Sequence, residues 1–171
     1  MKEVLPIDRG KMLSLFEYRD GQIYWKKRLT NSMHVGYRAG YPHPIYKYRT
    51  VTLNGLKYKE HRIIYVMHFG AIPLGLQIDH INGIRDDNRI ENLRLANDSQ
   101  NHVNSKIRHN NTSGYRCIGW SKSHNKWRVK IQKDYKTHVI GAYDDITDAV
   151  NAYNAASKRM YGEYAKTADA L

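Results

Sequence analysis

The chain has 171 residues, a net charge of +12 and a pI near 9.7, so an anionic polymer is its expected partner. It holds no apolar run near the ~18 residues of a membrane span, no long basic amphipathic helix for a membrane surface, and no apolar segment of the signal-peptide kind after Met1-Lys2-Glu3. Its single cysteine, Cys117, excludes an internal disulfide and a cysteine-rich zinc cluster.

The first fifteen residues carry little pattern, with a short helix expected over 11–16. Residues 17–28, EYRDGQIYWKKR, read as a hairpin, because Asp20-Gly21 is a strong turn signal and Ile23-Tyr24-Trp25 suits a strand. Residues 30–40 read as loop. A second hairpin is expected over 49–58, around Asn54-Gly55. Lys27, Arg28, Lys47, Arg49, Lys57 and Lys59 read equally as phosphate contacts and as a solvated face. Residues 60–69, EHRIIYVMHF, predict a helix with Ile63 and Met67 on one face and Gly70 as its stop.

The densest stretch runs over 76–104, LQIDHINGIRDDNRIENLRLANDSQNHVN. Its many short polar side chains suit a site better than a core. A strand is expected to end in Asp79-His80, a wide polar loop to follow, then a strand over 92–95 and a helix from about Asp98, with Asp98 and Ser99 as candidate caps. Adjacent strand residues point to opposite faces, so Asp79 and His80 are expected to do different jobs. Carboxylate and amide oxygens suit Mg2+ or Mn2+, and a neutral His beside such a cation can take a proton from water. A calcium loop starting at Asp79 fails, since Ile81 and Gly83 fall where ligands are needed. Asp86, Asp87 and Asn88 are read singly as turn and capping residues.

The run IDHINGIRDDNRIENLRLANDSQN resembles the HNH nuclease motif in the variant of phage and intron homing endonucleases. The resemblance implies His80 as general base, Asp79 and Asn101 as ligands of one divalent metal, and Asn92 as the residue pinning the base's loop. His102 is an alternative ligand. His61, whose pairing with Arg62 also recurs in that family, is an auxiliary candidate favoured as a structural hydrogen-bonding group.

Residues 105–112, SKIRHNNT, read as a basic linker. Beyond it, a strand is expected near 114–119, a turn over 123–126, and a strand in which Trp127, Val129 and Ile131 alternate with Arg128, Lys130 and Gln132. A third strand is expected over 138–143, and a helix over 145–160 with Ala149, Ala152, Tyr153 and Ala156 at helical spacing. SGYRCIGW, KWRVKI, HVIGAY, DAVNAYNAA and YGEYA resemble, in order, the Apetala-two/ethylene-response-factor DNA-binding domain. That implies a three-stranded sheet in the major groove, with Arg116, Trp120, Lys122, Arg128, Lys130 and Gln132 facing DNA and Trp127 in the core. Trp120 as a plain core residue is the alternative, and Cys117 stands where that family usually has Gly.

The expected fold is α+β. A ββα-metal nuclease module with N-terminal β-hairpins fills 1–104, and a small three-stranded antiparallel sheet packed on one helix fills 113–171. The expected activity is nicking of double-stranded DNA with one Mg2+ or Mn2+, by a phage-encoded homing endonuclease in a bacterial cytoplasm, with no obligate protein partner. A non-catalytic DNA-binding regulator and an RNA-binding protein are the alternatives.

Overall fold

The structure is a computed structural model, and it describes residues 7–31, 33–105, 107 and 111–168. The chain folds as two compact units, Met1–Ala96 and Asn97–Leu171. Both are mixed α and β, so the α+β class is observed. No helix among the described residues is long and apolar enough to cross a membrane.

The first unit opens with helix α1 (Arg9–Leu15), whose cap Asp8 accepts a hydrogen bond from Lys11 N at 2.6 Å. Strands β1 (Phe16–Arg19) and β2 (Gln22–Trp25) form the first hairpin, with Asp20 and Gly21 both at positive φ as a tight turn of this hand requires. Glycine is needed at position 21 on a second ground: a Cβ there would lie 2.7 Å from Arg89 N. Strands β3 (Tyr41–Pro42), β4 (Arg49–Leu53) and β5 (Leu56–Lys59) form a three-stranded sheet, and Asn54-Gly55 turns β4 into β5. Helix α2 (Glu60–Phe69) follows at once and ends at Gly70, whose φ is +86°.

Seven of the ten α2 residues are buried, so α2 is a core helix rather than a one-faced surface helix. Ile63 and Ile64 pack with Phe16, Ile23, Trp25, Val51 and Leu53 from the two hairpins. Strands β6 (Gln77–His80) and β7 (Leu93–Ala96) pair antiparallel, with Asp79 opposite Arg94 and His80 opposite Leu93. A 3-10 turn over Ile90–Asn92 leads into β7, which places Asn92 just before the strand instead of at its start.

The second unit begins with helix α3 (Asp98–Val103). Its cap is Asn97, not Asp98: the Asn97 side chain accepts from Gln100 N at 2.8 Å, while Gln100 Oε1 accepts from Asn97 N at 2.9 Å. Lys106, Arg108, His109 and Asn110, half of the basic linker read from the sequence, lie outside the described residues. Strands β8 (Ile118–Ser121), β9 (Lys126–Lys133) and β10 (Lys136–Tyr143) form an antiparallel sheet in the order β10-β9-β8. Helix α4 (Ile146–Tyr161), capped by Asp145, lays Ala149, Tyr153 and Ala156 on Ile118, Val129 and Ile131. Cys117 sits at φ +59°, a conformation that L side chains rarely adopt and glycine adopts freely.

Candidate active site

The site of the first unit is assembled from β6, the loop after it, and the N-terminal end of α2. Asp79 and His80 are both buried, each 4% exposed, yet they engage different partners. Asp79 Oδ2 accepts from Arg94 Nε at 3.0 Å across the β6–β7 ladder. His80 Nε2 lies 2.9 Å from Asn88 Oδ1. The alternation of a strand thus separates the carboxylate from the imidazole, as adjacency predicts.

Asn92 closes the loop between β6 and β7 on itself. Its Oδ1 accepts from Asn82 N at 3.0 Å, and its Nδ2 donates to Asn82 Oδ1 at 3.0 Å and to Asp87 O at 2.7 Å. Its backbone carbonyl also accepts from Ile81 N at 2.9 Å, directly beside His80. Asp87 is tied to Arg89 by two side-chain bonds, which hold its carboxyl well below the usual range; Asn82 adds to this.

Two buried polar residues carry the rest of the site: Glu60, read from sequence only as part of a helix, and Asn88, read as a turn or capping residue. Glu60 is fully buried at the start of α2; Asn88 is 1% exposed and links it to His80. Asn88 Nδ2 donates to Glu60 Oε2 at 2.9 Å, Ile23 N donates to Glu60 Oε1 at 3.2 Å, and Arg38 Nη2 lies 3.5 Å from Glu60 Oε2. Asn88 is therefore no turn residue. Arg49 is likewise no free phosphate contact: it is half-buried, its Nη1 donates to Gly40 O, and its Nε lies 3.9 Å from Glu60. Burial pushes the Glu60 carboxyl up, and Arg38, the Ile23 amide, Arg49 and Asn88 oppose that.

Burial also lowers the His80 pKa, so the ring is neutral near pH 7; the bond to Asn88 and the charges of Asp79 and Asp87 limit the shift. The His61 ring stands edge-on to His80, with centroids 5.0 Å apart, and its pKa falls well below the ordinary value, first from burial and then from His80, Lys59 and Arg62. Tyr48 flanks both rings at 5.1 and 6.1 Å and carries Lys59 and Arg85 over its own ring. Burial lowers the Lys59 pKa, and the charges of Arg62 and Arg85 lower it further. Lys59, Arg62 and Arg85 form no ion pair among the described residues.

In the second unit, Asn101 lies within α3, partly exposed, and His102 beside it is exposed. Register sorts the candidate DNA-facing residues of the sheet. Lys126, Arg128, Lys130 and Gln132 alternate on one face of β9, opposite the face that packs Val129 and Ile131 on α4. Trp120 does not join them. It pairs directly with Trp127 on the helix side, rings T-shaped at 5.0 Å, although 43% of it is exposed. Arg116 Nη2 donates to Ser105 O, and Lys122 is exposed in the β8–β9 turn.

Residues 58–103 match the family model described as HNH endonuclease. The chain is 33% identical over 97 residues to a protein of Escherichia phage T7 called protein 3.8, a match covering 57% of this chain and 79% of that protein. It is 32% identical over 129 residues to an uncharacterised HNH endonuclease of Acanthamoeba polyphaga mimivirus, covering 75% of this chain and 62% of that protein, just under two thirds of its length. No solved structure matches the chain.

Proposed function

The chain belongs to the HNH endonuclease family, and from that premise we propose that it hydrolyses phosphodiester bonds in double-stranded DNA with one bound divalent cation, as a nicking enzyme of the homing type. One observation carries the reading: a buried imidazole, His80, is held by a side-chain hydrogen bond beside a buried carboxylate, Asp79. A ring with this ordering and a lowered pKa is suited to accept a proton from a water aligned with phosphorus.

Asp79 is the first-unit residue that would hold the cation. It is buried against Arg94, and its oxygen donors fit Mg2+ or Mn2+. Asn101 is the second ligand the family resemblance implies, with His102 the alternative. No group of three or more His, Cys, Asp or Glu able to hold a metal occurs among the described residues, so water and phosphate would complete the coordination. When bound, the cation supplies positive charge to the phosphoryl oxygens and the leaving 3′ oxygen. Asn92 keeps the His80 loop closed, and His61 walls one side of the ring. Lys59 and Arg85, which lie over the Tyr48 ring beside His80, and Arg62, whose charge acts on Lys59, supply phosphate contacts for the strand being cut. The basic face of β9, with Arg116 and Lys122, holds the duplex, and Trp120 contributes from the sheet edge. A non-catalytic DNA-binding regulator is not favoured.

The test is conversion of supercoiled plasmid and of phage genomic DNA by the purified chain with Mg2+ or Mn2+, beside an EDTA control and His80→Ala. Metal-dependent nicking lost in His80→Ala, by about a hundredfold or more, is the expected result. Equal nicking by His80→Ala would remove His80 as the base.

A further inference from the structure

We propose that Glu60 and Asn88 are positioning residues for His80, a buried carboxylate–amide–imidazole chain that fixes the ring as its Nε2–H tautomer and makes Nδ1 the proton-accepting atom. The three side chains are 0%, 1% and 4% exposed, so water does not compete for their bonds.

The direction of the chain follows from its far end. Glu60 Oε2 is approached by Asn88 Nδ2 at 2.9 Å, Arg38 Nη2 at 3.5 Å and Arg49 Nε at 3.9 Å. Ile23 N occupies Oε1 at 3.2 Å. Arginine and a backbone amide only donate. Oε2 is therefore an acceptor in either protonation state of Glu60, since a proton on the carboxyl would sit away from this crowd of donors. The amide nitrogen of Asn88 must then face Glu60, which turns Oδ1 toward His80 at 2.9 Å. A carbonyl oxygen accepts only, so Nε2 carries the hydrogen, and a neutral imidazole keeps its lone pair on Nδ1. The flipped amide would set a carbonyl against the Glu60 oxygen and leave buried donors and acceptors mismatched.

The consequence for the reaction rests on the reading of His80 as base. Water transfers one proton to Nδ1, and the resulting hydroxide bonds to phosphorus as the 3′ oxygen leaves. The imidazolium keeps its Nε2–H on Asn88 Oδ1, and its new positive charge is felt by Glu60 through the amide.

The tautomer is read directly from the full chain labelled with 15N-histidine, without metal or DNA, above the titration range of histidine. Long-range 1H–15N correlations report which nitrogen bears hydrogen, and the His80 signals are those absent from the His80→Ala spectrum. The Nε2–H pattern is expected; an Nδ1–H pattern or an even mixture overturns the proposal. The kinetic arm uses Asn88→Ala. Turnover should fall about ten- to a hundredfold, while duplex affinity in EDTA and the signals of the other histidines stay as in the wild type. Wild-type turnover in Asn88→Ala would also overturn the proposal. Should the wild type cut no DNA at all, the nuclease reading fails, and the spectrum still decides the tautomer.

Discussion

At the scale of single residues, hydrogen-bond inventories decide which polar groups matter. Asn92 makes three side-chain bonds within its own loop, so Asn92→Ala takes this partner from Asn82 N and Asp87 O, while Asn82 Oδ1 keeps only Ile84 N. The expected cost is about 1–3 kcal/mol of stability in urea unfolding, accompanied by a fall in nicking rate because the His80 turn loosens. His61 gives a pH dependence. Its folded pKa lies well below the ordinary 6.5, chiefly through burial, so the unfolded chain binds the proton first as pH falls. Stability is therefore fully present above about pH 6.5 and declines as the medium is acidified toward the folded pKa. Melting temperature followed from neutral to mildly acidic pH should fall in the wild type and fall less in His61→Phe, where this linkage is gone. Parallel curves for the two would rule His61 out as a source of acid sensitivity.

Elements were legible from sequence wherever the signal was local. Asp20-Gly21 and Asn54-Gly55 mark both N-terminal turns, and the helix over 60–69 is observed with those bounds because Gly70 stops it. The cap of α3 was displaced by one residue, since Asn97, Asp98 and Ser99 are all capping types and only Asn97 can share a reciprocal bond with Gln100. Asn88 was illegible in principle: its type and setting are those of a turn, and its meaning comes from Glu60, 28 positions earlier. Trp120 was open between the DNA-facing surface and the core for a different reason. Its face depends on the β8–β9 register, which the intervening turn sets and alternation within one strand cannot reveal. At this scale Gly21→Ala is a sharp test of the β1–β2 hairpin. A methyl group would meet Arg89 N at 2.7 Å while φ stays at +79°, so a loss of about 2 kcal/mol or more is expected. Unfolding at the wild-type denaturant midpoint would show that the hairpin does not rest on the 88–89 backbone.

On the scale of the whole molecule, charge and division into units govern behaviour. A chain of net charge +12 should bind duplex with an affinity that falls steeply with salt. If the even-numbered face of β9 is the duplex-holding surface, Arg128→Gln with Lys130→Gln should lower the slope of log affinity against log salt by about 2. The same pair should leave turnover at saturating DNA unchanged, because neither residue belongs to the unit that carries His80. An unchanged slope would shift the duplex-holding role to other cations.

The bond from Ile23 N to Glu60 has an evolutionary reach. Recombination between genes can splice only pieces that work on arrival. The stretch from 76 to 104 holds the residues that resemble the nuclease motif and Asn88, which touches the imidazole, yet Asn88 is held by Glu60, and Glu60 is met by groups from positions 23, 38 and 49. A crossover inside the first unit would deliver the signature with its histidine unaimed. The smallest piece that carries Asp79 and Asn101 together with the groups around Glu60 runs from the first hairpin through α3, so a breakpoint near position 97 would part the two proposed ligands.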